Sequence, residues 1–177
     1  MKPNLSAHPK RLIPRYFLNL LSNIVLPTRA FGFKRWLYTR AGLRLGAGVK
    51  VTSECKILGN GAISIGDNTW VGIGTEFHVP SPAQVTIGTN CDIAPGVRFL
   101  CGSHVVGNSS RRAGEGTVED IWVGSGVWIG AGSMLLPGAH LEDGIVVAAG
   151  SVVTKARYPA NALLAGNPAR VKKVYED

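Results

Sequence analysis

One polar stretch gathers the side chains best suited to chemistry. His104 follows Gly102-Ser103 and stands three residues after Cys101, within the run CGSHVVGNSSRRAGEGTVED. An imidazole, with an unperturbed pKa of about 6.5, is mostly neutral yet basic near pH 7, which suits it to take a proton from a hydroxyl. From spacing alone an exposed bystander fits His104 equally well. A Cys101–His104 nucleophile pair is conceivable, but three residues apart in a loop is thin support. Cys55, Cys91 and Cys101 are odd in number and irregularly spaced, so neither a disulfide framework nor a zinc pattern emerges.

These residues need a scaffold, and a period of six supplies it. Apolar anchors fall at Leu45, Val51, Ile57, Ile65, Val71, Phe77, Ile87, Ile93 and Phe99, and resume at Val123, Ile129, Leu135, Leu141, Val147 and Val153. Glycine often follows directly, as at Gly66, Gly88 and Gly130. Three places after the anchor come Asn68, Asn90, Gly126 and Gly144, types that tolerate a left-handed backbone. Four places after it sit small or β-branched residues: Val49, Thr69, Thr75, Val97, Val127, Ser133 and Ser151. A large inward anchor, a small inward filler and a corner make one short strand and turn, and three such units make a triangular coil. The spacing predicts an all-β chain of about five coils of parallel β-helix.

Coil starts at 45, 65, 87, 123 and 141 leave one long excess, so residues 100–121 are expected to protrude as a loop. Cys55 and Cys91 fall on the filler place and read as packed thiols; Cys101 lies outside the repeat. Trp128 stands next to an inward anchor and should point outward, which is costly unless it meets a ligand or another subunit.

Composition agrees with a folded solenoid. Gly 23 and Pro 10 in 177 residues stay below the roughly 25–30% of low-complexity disorder, and hydrophobic content of 45% is enough for a core. No apolar run reaches the roughly 18 residues of a membrane span. Phe17–Leu26 follows basic residues as a signal peptide would, but Asn19, Ser22 and Asn23 interrupt it. The expectation is a reduced, cytoplasmic protein.

The charge is one-sided. Residues 1–53 hold ten Lys or Arg and no acid, within a chain of net charge +8. Residues 11–26 place Leu12, Ile13, Tyr16, Phe17, Leu20, Leu21, Ile24 and Val25 on one helical face, and 31–40 continue aromatic and basic. One reading is a helical cap over the first coil, whose open end would otherwise expose strand edges. The other is an interfacial helix that brings the protein to anionic lipid at the inner face of a membrane. Nucleic acid ranks below both, since no binding motif accompanies the charge.

With its GSH at 102–104, RRAGE at 111–115, the run VGSGVWIGAGSMLLPGAHLEDGIVVAAGSVVTK and the tail PANALLAGNPARVKK, the chain resembles the hexapeptide-repeat acyltransferases. Within that family it looks most like galactoside, maltose and polysaccharide O-acetyltransferases. The resemblance implies a left-handed β-helix over 43–156, an active-site loop at 100–121 and a C-terminal tail with a short helix over 157–177, preceded by the basic amphipathic helical segment over 1–42. It implies His104 as general base and Glu115 as a residue that orients the ring or lines the acceptor site. It places Trp128 beside the cleft, the N–H of Ala131 at the thioester oxyanion, and Ala131 and Ala149 along the pantetheine. Thr154, Lys155, Arg170 and Lys173 would approach the nucleotide end of acetyl-CoA. The implied reaction is acetyl transfer to a saccharide hydroxyl in surface polysaccharide or lipid-linked glycan assembly, by a homotrimer. Another small acceptor and a non-catalytic binding scaffold remain alternatives. A zinc site like that of γ-class carbonic anhydrases would need His78, His104 and His140 together, and their places in the repeat do not support it.

Overall fold

The computed structural model describes residues 9–24 and 28–176, with side chains from residue 13 onward; the side chain of Leu12, and Val25, lie outside that description. Two helices, α1 (Pro9–Ser22) and α2 (Phe31–Arg40), precede a three-faced parallel β-helix. The first face stacks Arg44–Leu45, Ala62–Ile65, Gln84–Ile87, Ile121–Val123, Ala139–Leu141 and Ala156–Tyr158. The second runs from Lys50–Val51 through Trp70–Val71, Asp92–Ile93, Trp128–Ile129 and Val146–Val147 to Ala162–Gly166. The third stacks Lys56–Leu58, Glu76–His78, Arg98–Leu100, Met134–Leu135 and Val152–Val153.

The hexad accounts for the core. Every anchor from Val51 to Val153 is buried, and Leu45 packs half-buried against the rest. The fillers are buried too, as are Cys55 and Cys91. Anchors stack on anchors: Phe77 pairs with Phe99 in register, their rings parallel with centroids 4.8 Å apart. Asn68 and Asn90 turn corners at φ 56° and 54°. A Cβ on Gly66 would come within 2.6 Å of the Gly88 backbone on the next coil, so the spacing of coils requires glycine there.

The structure extends the sequence reading in two places. A partial sixth coil follows the expected five, with Tyr158 beside Leu141 and Leu164 beside Val147. Counting in sixes misses it because Tyr158 comes five residues after Val153. The expected C-terminal helix is instead a β-hairpin, in which Ala162–Gly166 pairs antiparallel with Ala169–Val174. Gly166 at φ 107° followed by Asn167-Pro168 makes its turn, and such residues favour a reversal over a helix.

The protrusion at 100–121 is an ordered hairpin. Gly102–Val106 runs antiparallel to Ala113–Val118, with His104 opposite Gly116. Its base is closed by backbone bonds from Cys101 N–H to the His78 carbonyl (3.0 Å) and from Glu119 N–H to the Cys101 carbonyl (2.9 Å).

The N-terminal helix does cap the first coil, but with its polar side. The third face ends in an open edge of unpaired backbone groups, and these need hydrogen-bond partners. Asn19 supplies a peptide-like pair to Ile57, its amide donating to the carbonyl and its Oδ1 accepting from the N–H, both at 2.9 Å. Arg15, 2% exposed, donates to the carbonyls of Gly59 (2.5 Å), Gly61 (2.9 Å) and Ala41 (3.3 Å). The Ser22 carbonyl accepts from Glu54 N–H at 3.1 Å. Among the described residues of α1, Leu18 is the one fully buried apolar side chain. Among the described residues no helix is long and apolar enough to cross a membrane.

Candidate active site

The corner between the second and third faces carries three of the expected site residues. Trp128 lies on the second face between Asp92 and Val146 and is 56% exposed, so it points outward as the repeat phase requires. Two residues beyond the end of its strand the chain turns at Ala131–Gly132, and on the next coil at Ala149–Gly150. The Ala131 carbonyl accepts from Gly150 N–H at 2.9 Å, which ties the two turns together. The N–H groups of Ala131 and Ala149 have no acceptor among the described residues.

At the corner between the first and second faces three of the equivalent amides are occupied. Ala47 N–H reaches Asp67, Thr89 N–H reaches Ser125 and Ser125 N–H reaches Asp143, at 2.7, 3.2 and 2.7 Å. Side chains from the following coil thus cap one edge of the prism and leave the other with donors to offer.

The remaining expected residues divide between two places. Arg170 and Lys173 lie on the C-terminal hairpin, beside Ala165 and Leu163, and so continue the second face past Ala149. The Lys173 ammonium sits 4.8 Å from the Tyr175 ring centroid. Thr154 and Lys155 lie instead at the corner between the third and first faces. The Thr154 hydroxyl meets that of Tyr158 at 3.3 Å, and Lys155 pairs with Glu119 at 2.6 Å, at the root of the 102–118 hairpin. His104 rises from that same corner and is exposed. A whole face, about 15–20 Å at about 3.3 Å per residue, separates it from Ala131 within one protomer.

Glu115 does not meet His104. Between the pairs His104–Gly116 and Val106–Ala113 the register shifts, so Gly114 and Glu115 together oppose Val105. Side chains alternate across a strand, and the ribbon therefore turns Glu115 to the side away from the imidazole. No hydrogen bond joins the two among the described residues, which leaves Glu115 without the geometry to orient the ring in the same protomer.

A solenoid of hexapeptide coils has known counterparts. Residues 120–155 match a family model described as bacterial transferase hexapeptide (six repeats). The fold is similar to that of a galactoside acetyltransferase solved with coenzyme A: 29% identity, TM-score 0.79, covering 94% of this chain and 81% of that one. It is also similar to a hexapeptide-repeat acetyltransferase from Vibrio cholerae solved with acetyl coenzyme A, at 26% identity and TM-score 0.78, covering 96% and 89%. A polySia-specific acetyltransferase shares 30% identity at TM-score 0.65, over 75% of this chain and 61% of its own. The chain carries the transferase hexapeptide repeat, and its solenoid matches the left-handed β-helix of hexapeptide-repeat acetyltransferases.

In this acyltransferase the hairpin root also borders a groove lined by Leu58, Gly59, His78, Pro80, Leu100 and Gly102. His78 Nε2 lies 3.0 Å from Glu76 Oε2, and Lys56 lies 3.3 Å from Oε1. The hydrogen bond from His78, aided by Lys56, holds the Glu76 carboxyl below the usual range. Sequence reasoning passed over this pair. Its signal was there in the E-x-H alternation, which puts both side chains on the outer side of one strand.

The cysteines are not nucleophiles. Cys101 is fully buried, and burial pushes its thiol up to about 12 with Asp120 nearby adding to the effect. At neutral pH it carries almost no thiolate. His78, His140 and His104 belong to the third face, the first face and the hairpin. Among the described residues no three His, Cys, Asp or Glu side chains gather as a metal site.

Proposed function

We propose that the protein is an acetyl-CoA-dependent O-acetyltransferase that modifies a saccharide hydroxyl, in the assembly of surface polysaccharide or lipid-linked glycan. The observation that carries this reading is the pair of unoccupied N–H donors at Ala131 and Ala149, aligned on one exposed corner of a solenoid similar to acetyltransferases solved with coenzyme A. A pantetheine arm carries amide carbonyls and ends at the thioester carbonyl, and these acceptors need donors of this kind, Ala149 for the arm and Ala131 for the thioester. The donor set therefore fits the group, with Trp128 as an apolar wall and Arg170 and Lys173 as cations for its phosphates further along the same face. Thr154 and Lys155 flank the third face from the opposite corner.

In the reaction, His104 Nε2 or Nδ1 takes the proton of the acceptor hydroxyl as its oxygen attacks the thioester carbonyl. The Ala131 N–H donates to the oxygen that gains negative charge. A fixed donor in a site shielded from water stabilises that charge without reorganising. The proton held on His104 is then available to the departing thiolate, so the histidine ends as it began.

One protomer holds the donors and the base a full face apart, so the complete site needs a second copy. The hairpin of one protomer reaching the corner of its neighbour meets that need, and a homotrimer of three-sided prisms supplies three such junctions. Glu115, turned away from its own His104, then faces the acceptor side or the adjoining subunit.

Replacing His104 by Ala tests the base. Turnover should fall at least about 10²-fold while acetyl-CoA still raises the thermal midpoint. Unchanged turnover removes His104 from the mechanism. A panel of saccharide, aminoglycoside, amino-sugar and serine acceptors separates the saccharide reading from other acetyltransferases. A protein without any thermal shift at millimolar acetyl-CoA would be a binding scaffold instead.

A further inference from the structure

The helix that caps the first coil leaves its apolar side facing out. Ile13, Tyr16, Phe17, Leu20, Leu21 and Ile24 are 67, 70, 56, 54, 39 and 74% exposed. At about 100° per residue they form one stripe, diametrically opposite Arg15, Leu18, Asn19 and Ser22. The inversion has a cause already described: the open strand edge demands hydrogen-bond partners, so the polar side is spent inward. An exposed stripe of six large apolar side chains is far from the ordinary scatter of surface hydrophobics. The adjoining α2 exposes Phe33 (50%) and Trp36 (53%), whose rings stack at 5.9 Å. Arg29, Arg35, Arg40 and Arg44 around them are exposed, with the Arg40 guanidinium 5.4 Å from the Trp36 ring centroid.

We propose that this face docks the protein on the surface of an anionic lipid bilayer, with the α1 stripe entering the acyl boundary and the basic residues of the α2 segment meeting headgroup phosphates. Charge decides between occupants. Residues 1–53 contain ten Lys or Arg and no acid, so a second copy packed on the same face would bring like charge to like charge. A negative bilayer neutralises it, and aromatic rings beside arginines suit the headgroup layer. The docking is independent of acetyl transfer, since none of its residues belongs to the catalytic corner or the 102–118 hairpin.

Sedimentation with vesicles tests the proposal directly. The full-length protein should bind vesicles of about 40% phosphatidylglycerol in phosphatidylcholine and bind pure phosphatidylcholine at least about 10-fold more weakly. Raising salt from about 0.1 to 0.5 M should weaken the anionic binding several-fold. The double variant Phe17→Ser/Leu20→Ser should lose at least about 10-fold in vesicle affinity. Arg35→Ser/Arg40→Ser should lose roughly 5-fold per charge removed. Both variants keep the inward polar contacts, and sedimentation equilibrium without lipid should show their oligomeric state unchanged. Equal binding to neutral and anionic vesicles, or no binding to either, overturns the proposal. So does a change of oligomeric state in Phe17→Ser/Leu20→Ser without lipid, which would assign the stripe to a second copy. Soluble acetyl transfer should be the same in these variants as in the parent, so a failed acetylation assay and a failed docking assay read out separately.

Discussion

Arg15→Met should free α1 from the solenoid without unfolding the solenoid. The guanidinium donates to three carbonyls and is itself buried. Hydrogen bonds to a charged group contribute about 1.5–3 kcal/mol each, which sets a gross figure near 4–9 kcal/mol. Desolvating the cation offsets several kcal/mol of that, leaving a net loss of about 2–4 kcal/mol. Methionine fills the volume but offers no donor. The remaining anchorage of α1 is burial of Leu18, about 1.5–3 kcal/mol, with the two Asn19 bonds and the bond from Glu54 N–H to the Ser22 carbonyl, about 1 kcal/mol each. Undocking therefore becomes the cheapest response, and the coils behind it keep their stacked anchors. Hydrogen exchange followed by mass spectrometry reads this directly. Amides of residues 13–22 should exchange about 30- to 1,000-fold faster in the variant, from the same 2–4 kcal/mol. Amides of Met134–Leu135 and Val152–Val153 should be unchanged. Arg15→Lys should fall between, since one ammonium cannot span three carbonyls. Protection of 13–22 within about 3-fold of the parent would refute the reasoning, because the desolvation cost would then cancel the bonds completely.

Two other expectations concern the core. Phe99→Ala removes one ring of the Phe77–Phe99 stack at a fully buried site and should destabilise the protein by about 3–5 kcal/mol, read as a lower urea midpoint at unchanged slope. A cost below about 1 kcal/mol would mean that the coils collapse into the gap. The buried thiols make the fold sensitive to alkali. Burial raises Cys55 to about 11 and Cys101 to about 12 from an ordinary 9.0, and it raises Cys91 as well. A raised folded-state pKa means that the unfolded chain gives up its proton first. The stabilisation is therefore complete below about pH 9 and is lost as pH climbs through about 11–12. Urea midpoints from pH 8 to 11 should fall over that window, and replacing Cys101 by Ala should flatten the slope; a flat parent profile contradicts the burial argument.

The solenoid was legible because each coil repeats one physical requirement. Anchor, filler and corner recur in a fixed order, and Leu45 to Val153 report it without help from tertiary context. The orientation of α1 was not legible. Periodicity shows that a helix has two sides, but the direction it faces is set by what it covers, and an open strand edge calls for Arg15 and Asn19 rather than Phe17 and Leu20. The C-terminal hairpin was hidden for a similar reason, since a short basic tail reads as helix until Leu164 is seen stacking on Val147. Trp128 was placed outward correctly from its phase alone. The direction of Glu115 was not legible, because a one-residue bulge between His104 and Val106 decides which way it points, and nothing in the pattern of residue types announces a bulge. The division of the candidate site between two corners follows from topology and becomes visible only when the faces are assembled.

The antiparallel strand Ala169–Val174 has a consequence for how these molecules assemble. A stack of parallel coils is a template that accepts another coil at either end, and an open-ended stack of identical molecules would grow into a fibre. Here the second face ends in a strand of reversed direction that carries Arg170, Lys172 and Lys173 on its margin, and α1 covers the opposite end of the third face. Charged, reversed and covered margins discourage strand addition. End-to-end growth of this chain is thereby discouraged, which leaves the sides of the prism free for the side-by-side contact proposed above.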